Sequence, residues 1–299
     1  MSAAFCHQLV KMDIYAAFLL TSTFGFIVCA PTFPYNIVDL ARDLGEQSMY
    51  WPTHHPFRKV VELTGSSTFG FWVYSNNINS TEHVGTHIDA PSHTSRYGWH
   101  LNQIPLSHLI GPGVIINVKD KVKDDPDYRV SVADVKEWEA KYGAIPDGAI
   151  VIMNSGWEKH YPDREKIFGT TDFYNTTSFH FPGFHEDAVS WIIKNRKMHV
   201  IGTDAPSFDY GQTHTFPVHI MTAKNNICGL ENVGNLDAIP PNGAILTAAA
   251  VKTVEGSGVP VRLFAMVPQS GSSPVTAENR IAMAIMLCSL KLLSSYLFV

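Results

Sequence analysis

Cysteine is scarce in this chain: four in 299 residues. Cys6 and Cys29 stand near the start, Cys288 near the end, and Cys228 alone between them, so the central stretch can form no internal disulfide. A stretch of about 240 residues is long enough to build its own hydrophobic core without one. Positive charge is also in short supply, with 22 Lys and Arg against 27 Asp and Glu and a net charge of −5. No basic stripe appears anywhere, which excludes the electrostatic footprint of a nucleic-acid binder. Repeats and low-complexity segments are missing too. With 45% hydrophobic and 16% charged residues, the composition is that of a folded globule rather than a disordered chain.

The two ends differ from the middle. Lys11 precedes an apolar run over residues 16–30, broken only by Thr21, Ser22, Thr23 and Gly25 and closing on Val28-Cys29-Ala30. A short apolar core with small residues at its end predicts a secretory signal, residues 1–30, cleaved after Ala30. The core is short for a membrane-spanning helix. Residues 281–299 (IAMAIMLCSLKLLSSYLFV) form a second apolar run, preceded by Ser270-Gly271-Ser272-Ser273 and a polar spacer. That order predicts a lipid-anchor signal and membrane attachment through the tail; Lys291 opposes burial in a bilayer and leaves a packed amphipathic helix as the alternative. The expected arrangement is a signal (1–30), one folded domain (31–270) and a C-terminal spacer and tail (271–299), on a secreted or cell-surface protein.

Residues 82–94 (EHVGTHIDAPSHT) hold three histidines, an aspartate, a glycine and a proline, with almost no bulky aliphatic side chains. Hydrophobic cores are not made this way. His83, His87, Asp89 and His93 share one parity, so in an extended segment all four would point to one face. Pro91 argues against a helix. The stretch therefore reads as a strand-to-loop passage presenting imidazole and carboxylate groups, the ligands zinc and manganese prefer. Gly85, between the first two histidines, leaves room on that face for a metal or substrate. Three ligands from His83, His87 and Asp89 leave an open coordination position, which suits catalysis rather than structure.

The run His83-Val84-Gly85-Thr86-His87-Ile88-Asp89-Ala90-Pro91-Ser92-His93 resembles HxGTHxDxPxH, the signature of the cyclase family of metal-dependent hydrolases, whose members include bacterial-type kynurenine formamidase and isatin hydrolase. The resemblance extends over residues 38–268. It implies that His219 and Glu231, twelve residues apart, complete the metal site, with Asp89 bridging to a second ion. His214, five residues before His219, is the competing candidate. The resemblance also implies that His93 moves protons beside the metal instead of ligating it, and that Trp51 of Trp51-Pro52 lines the substrate pocket. The cofactor it implies is a divalent metal, zinc first and manganese second, as one or two ions. The expected partner is a small-molecule substrate, with no nucleic acid, and the chain is expected to form a homodimer or higher homo-oligomer. The expected reaction is hydrolysis of an aryl formamide of the N-formylkynurenine kind, with a cyclic amide of the isatin kind as the alternative, or metal binding without turnover. Thr203-Asp204-Ala205-Pro206-Ser207-Phe208-Asp209 also matches the family, although a turn-stabilising role for Asp204 and Asp209 is as good a reading.

Short apolar runs alternate with amphipathic ones, which predicts an α/β fold; the resemblance refines this to a single domain of mixed sheet with helices, the swivelling β/β/α cyclase-like fold. Strands are expected at residues 69–74, 114–118, 148–154, 199–202, 244–247 and 261–267. Ser131, with Asp134 three residues on, predicts a capped helix to about Tyr142, and residues 184–196 predict a second. Residues 119–129 are expected to be an exposed loop, and residues 156–181 a loop over the pocket.

Overall fold

The middle of the sheet is built from residues that have to be buried on both faces. Ala-Ile-Val-Ile-Met-Asn at residues 149–154 is apolar at nearly every position and buried throughout, as a central parallel strand must be. In a computed structural model that describes residues 33–269, this segment lies at the centre of a nine-stranded mixed sheet.

In chain order the elements are β1 (Tyr35–Asp39), β2 (Arg58–Ser66), β3 (Trp72–Asn79), β4 (His87–Asp89), β5 (Ile110–Asn117), α1 (Lys119–Asp124), β6 (Arg129–Val130), α2 (Val132–Tyr142) and β7 (Ala149–Asn154). They continue with α3 (Arg164–Phe168), β8 (Gly183–Phe184), α4 (Glu186–Asn195), β9 (Met198–Thr203), α5 (Pro217–Lys224), β10 (Cys228–Glu231), β11 (Ile245–Ala249), β12 (Gly258–Pro260) and β13 (Arg262–Pro268). The large sheet runs β1-β13-β11-β5-β7-β9-β10-β4-β12. Its centre, from β5 through β7 and β9 to β10, is parallel, and both flanks are antiparallel. The α/β, mixed-sheet fold expected from the sequence is thus the fold observed.

Strand periodicity divides the core. Val151 and Met153 of β7 enter one cluster with Val135 and Trp138 of α2 and Ala188, Val189 and Ile192 of α4. Ile150 and Ile152 face the other side, with Ile88 of β4, Leu230 of β10 and Leu263 of β13. Ser131 caps α2 as its sequence implied, with Asp134 closing the reciprocal hydrogen bonds.

Several boundaries differ from expectation. Residues 119–129 are not simply a loop: α1 forms there because Val122 is buried, and it ends before Pro126. The second helix begins only at Glu186, where His185 accepts the Asp187 N–H, and Phe184 belongs to β8. The strand expected at 69–74 is displaced to β3, since Ser67 and Gly70 make the turn of a β2–β3 hairpin. Residues 156–181 carry α3; none of them lines the cavity of about 490 Å³ beside Trp51, but Phe168 and Phe179 pack edge-on against the Trp51 ring at 5.9 and 5.4 Å. The expected signal, residues 1–30, and the tail, 271–299, lie outside the described residues. Among the described residues no helix is long and apolar enough to cross a membrane.

The β2–β3 hairpin stands apart. Among the described residues it pairs only with itself, and its large apolar side chains are exposed: Val61, Tyr74 and Ile78 among them, with Trp72 at 67% and Phe69 at 86%.

Candidate metal centre

β4 is three residues long and sits between β10 and β12. Its antiparallel register with β10 sets His87 opposite Glu231, so two residues 144 positions apart become cross-strand neighbours on one face. Asp89 lies opposite Gly229 on one side and Gly258 on the other. Neither glycine could carry a side chain. A Cβ at Gly229 would meet the Phe208 ring at 2.3 Å, and one at Gly258 would meet His83 Cε1 at 2.4 Å. The glycines let two rings close over the Asp89 carboxylate.

The four groups of the motif do not form a continuous extended row. Only His87 and Asp89 lie in a strand, while His93 ends a short 3-10 turn, Pro91–His93. Gly85, at φ 62°, breaks the extended run after His83. It faces Leu44 and Ser48 instead of a space for metal or substrate, so the expected clearance is absent and Gly85 serves the left-handed turn. That turn aims the Gly85 carbonyl at His87 Nδ1, 3.0 Å away. The carbonyl can only accept, so Nδ1 carries a proton and Nε2 points to the cluster.

The side chains nevertheless converge. His83 Nδ1 lies 2.6 Å from Asp89 Oδ1, and its Nε2 lies 3.1 Å from Ser257 Oγ. His87 Nε2 is 3.3 Å from Asp89 Oδ1 and 3.4 Å from Glu231 Oε2. His219 Nε2 is 3.5 Å from Asp89 Oδ2 and 3.3 Å from Glu231 Oε1. Donor atoms of His87, Asp89 and Glu231 lie within 4.8 Å of one another, as do those of His83, Asp89 and His93. The two groups share Asp89. His214, the rival of His219, is exposed and does not line the pocket.

His219 is placed by a residue whose role the sequence left open. Phe216, ahead of α5, offers the helix no side-chain cap. The Asp209 carboxylate takes that place, accepting the Val218 and His219 N–H groups at 3.0 and 2.9 Å and His219 Nδ1 at 2.7 Å. Phe208 stacks on the His219 ring at 3.7 Å. Asp204, by contrast, accepts from Ser155 and from the Trp157 N–H at 2.8 Å, and so anchors a turn. Ser257 and Gly258 lacked a local chemical signature that could have assigned them to the site, whereas Phe208 and Asp209 lie in the run that matched the family but received no role there.

Charge is tightly balanced in this buried cluster. Burial alone would raise the Asp89 carboxyl, but His83, His219 and His87 hold it well below the usual carboxylate range. Burial and the neighbouring Asp89 push Glu231 up. Burial also works against charge on His87 and His219, yet the surrounding carboxylates win: His87 rises to about 9, and His219 rises as well. His93, the exposed member of the set, goes the other way, pushed down to about 4 by the hydration its ring does lose and by the adjacent imidazoles. Its ring lies 4.0 Å from that of His83, at the pocket. Cys228, free and fully buried, is pushed up to about 12 by burial and then by Asp89, so it is an inert core thiol.

The cluster forms one wall of a cavity of about 490 Å³, within the range of small-molecule sites. Trp51 and Phe216 make an aromatic corner, with ring centroids 6.0 Å apart at 71°. Thr53, His54, Thr94, Ser207, Thr215 and Ile220 complete the lining, and no Lys or Arg is among them. Phe216 sits at φ 45°, ψ 52°, a left-handed conformation that costs a bulky residue about 1–3 kcal/mol.

The family model described as "Putative cyclase" matches residues 38–210. Isatin hydrolase of Roseibium aggregatum is 31% identical over 220 residues, spanning 71% of this chain and 81% of that protein. Kynurenine formamidase of Salinibacter ruber is 25% identical over 229 residues, 76% of this chain and 95% of that one. A crystal structure of an isatin hydrolase bound to the product analogue thioisatinate superposes with a TM-score of 0.72 at 27% identity, covering 90% of this chain and all of the other. With its motif intact and its histidines and carboxylates gathered at one cavity, the chain belongs to the cyclase family of metal-dependent hydrolases.

Proposed function

We propose that this enzyme hydrolyses the C–N bond of a small, uncharged amide whose carbonyl adjoins an aromatic ring, with a cyclic amide of the isatin kind as its substrate class. The observation that carries this reading is the pocket lining: an aromatic corner meets the carboxylate–imidazole cluster, and no Lys or Arg among the described residues lines it. An amino-acid substrate such as N-formylkynurenine brings a carboxylate that finds no Lys or Arg there, whereas a neutral ring-fused amide needs none. The isatin hydrolase relatives support the same choice. The aryl formamide of the first reading keeps the support of the kynurenine formamidases and shares the bond type and the site.

The metal ligands in this proposal are His83, His87 and Asp89, joined by His219 and Glu231, with Asp89 shared. One feature of the protein itself fits an ion: His87 Nε2 is buried and makes no hydrogen bond although two carboxylate oxygens flank it. A divalent ion held by these residues, zinc or manganese, would supply Lewis acidity and make water acidic enough to ionise near neutral pH. The chain supplies orientation and proton transfer. Asp209 holds the Nδ1 proton of His219 and the Gly85 carbonyl that of His87, leaving each Nε2 lone pair for the cluster. His93, uncharged at neutral pH, can take a proton from the attacking water and return it to the departing nitrogen. Trp51 and Phe216 receive the aromatic ring. Turnover of isatin and of N-formylkynurenine by protein loaded with Zn²⁺ or Mn²⁺ tests the reading; preference for the formamide would reverse the substrate class, and hydrolysis of neither would overturn it.

The exposed hairpin supports the expected homo-oligomer, because a two-stranded ribbon bearing Trp, Tyr and Phe is marginal without a covering surface. A second copy is the occupant we favour; its two hairpins can pair about a twofold axis. Sedimentation of the wild type against a Val61→Ser, Trp72→Ser, Tyr74→Ser variant checks this, and a monomeric wild type would exclude it. The apolar segment ending at Ala30 supports secretion, with N-terminal sequencing of the mature protein as its test.

A further inference from the structure

The geometry points to Phe216 as the residue that selects an aromatic over an aliphatic amide. This assignment rests on the aryl-amide reading of the pocket. The Phe216 ring lines the cavity, 6.0 Å from Trp51 and 5.8 Å from His219, so it joins the aromatic wall to the ligand cluster. No motif in the sequence singles it out.

Its backbone makes the case independently. Positive φ occurs at five non-glycine positions among the described residues: Phe216, Asn226, Asn232, Asn235 and Glu255. Three are asparagines, whose short polar side chains tolerate this region. Phenylalanine does not, and Pro217 adds a second objection by favouring an extended conformation at the residue before it. The surroundings impose the turn: Thr213 Oγ1 accepts the Phe216 N–H at 3.3 Å, and Asp209 holds the next two amides, which brings His219 to Asp89. Glycine or asparagine would make that turn with less strain. What a phenyl group adds is the surface it presents to the cavity, inclined at 71° to the Trp51 plane and beside the reacting centre. A substrate ring lying on one of the pair meets the edge of the other, the arrangement aromatic groups prefer.

The test uses full-length, metal-loaded protein, with metal content verified in every variant because Phe216 neighbours His219. Steady-state kinetics are measured on isatin and on pyrrolidine-2,3-dione, which lacks the fused benzene ring. Phe216→Leu keeps the bulk and removes the π face; kcat/KM for isatin should fall roughly 2- to 13-fold, mainly through KM, and by more than it falls for the aliphatic substrate. Phe216→Tyr should restore the preference. Equal losses on both substrates, or none, would overturn the inference while leaving the aryl-amide reading intact. A wild type that turns over neither substrate overturns both. Strain is checked separately by two variants that both lack the ring: Phe216→Gly should melt about 2–4 °C above Phe216→Ala, the reverse of the usual order. An alanine variant as stable as the glycine variant would remove the backbone argument.

Discussion

Replacing Asp209 by asparagine changes few atoms and should cost the site its metal affinity. The carboxylate accepts three hydrogen bonds at 2.7–3.0 Å, two from the first turn of α5 and one from His219 Nδ1, and it is only 1% exposed. Asparagine retains one accepting oxygen, but its NH₂ group must face an N–H donor, and the negative charge that holds the His219 tautomer is lost. Removing such an outer carboxylate typically lowers metal affinity 10- to 100-fold, about 1.4–2.7 kcal/mol. The loss should appear as weaker binding at the position shared by His219, Glu231 and Asp89. Competition of Zn²⁺ against a chelator, followed by calorimetry, measures it, and circular dichroism verifies that α5 survives. Asp209→Ala should be worse, since it strips the Val218 and His219 N–H groups of their side-chain acceptor. An Asp209→Asn protein that folds normally and binds metal as tightly as wild type would refute the reasoning.

His93→Ala should keep bound metal and fold while kcat falls about 10²–10⁴-fold; parallel loss of metal would make His93 a ligand. Gly258→Ala forces a methyl against a His83 ring already pinned by Asp89 and Ser257, so metal stoichiometry should drop with the fold preserved. In the metal-free protein His87 stays protonated up to about pH 9, so an ion must displace its proton; affinity should rise with pH, and calorimetry in buffers of different ionisation enthalpy should detect the released protons. Because the folded value lies above the ordinary imidazole value of 6.5, the same group stabilises the metal-free fold fully below about pH 6.5, and that contribution disappears as pH climbs through about 9. Metal-free melting temperatures independent of pH over this window would contradict it.

What could be read from the chain alone was whatever one short stretch or a strong periodicity carries. The β7 run announced a central strand because it is apolar at consecutive positions, and Ser131 with Asp134 announced a helix start through their own hydrogen bonds. The ligand cluster was legible because His83, His87, Asp89 and His93 crowd into eleven residues. His219 and Glu231 were reachable only through resemblance, since the fact that unites them is the β4–β10 register. Register also decided what was missed. Gly229 and Gly258 flank Asp89 only once three strands are side by side, and Phe216 shows its importance through a dihedral angle that no composition records. Gly85 misled because parity assumes an extended backbone, and the glycine is the residue that breaks it. The run at 69–74 read as an ordinary strand without showing the hairpin it belongs to, and β2 was not anticipated at all.

The central claim is tested most directly by stripping the purified protein of metal and titrating Zn²⁺ or Mn²⁺ back while following isatin hydrolysis. The account expects no turnover in the stripped protein, and activity that rises with added ion and saturates at one or two equivalents per chain. Saturable metal binding with no hydrolysis of isatin or of an aryl formamide, or hydrolysis that persists unchanged in the stripped protein, would contradict it.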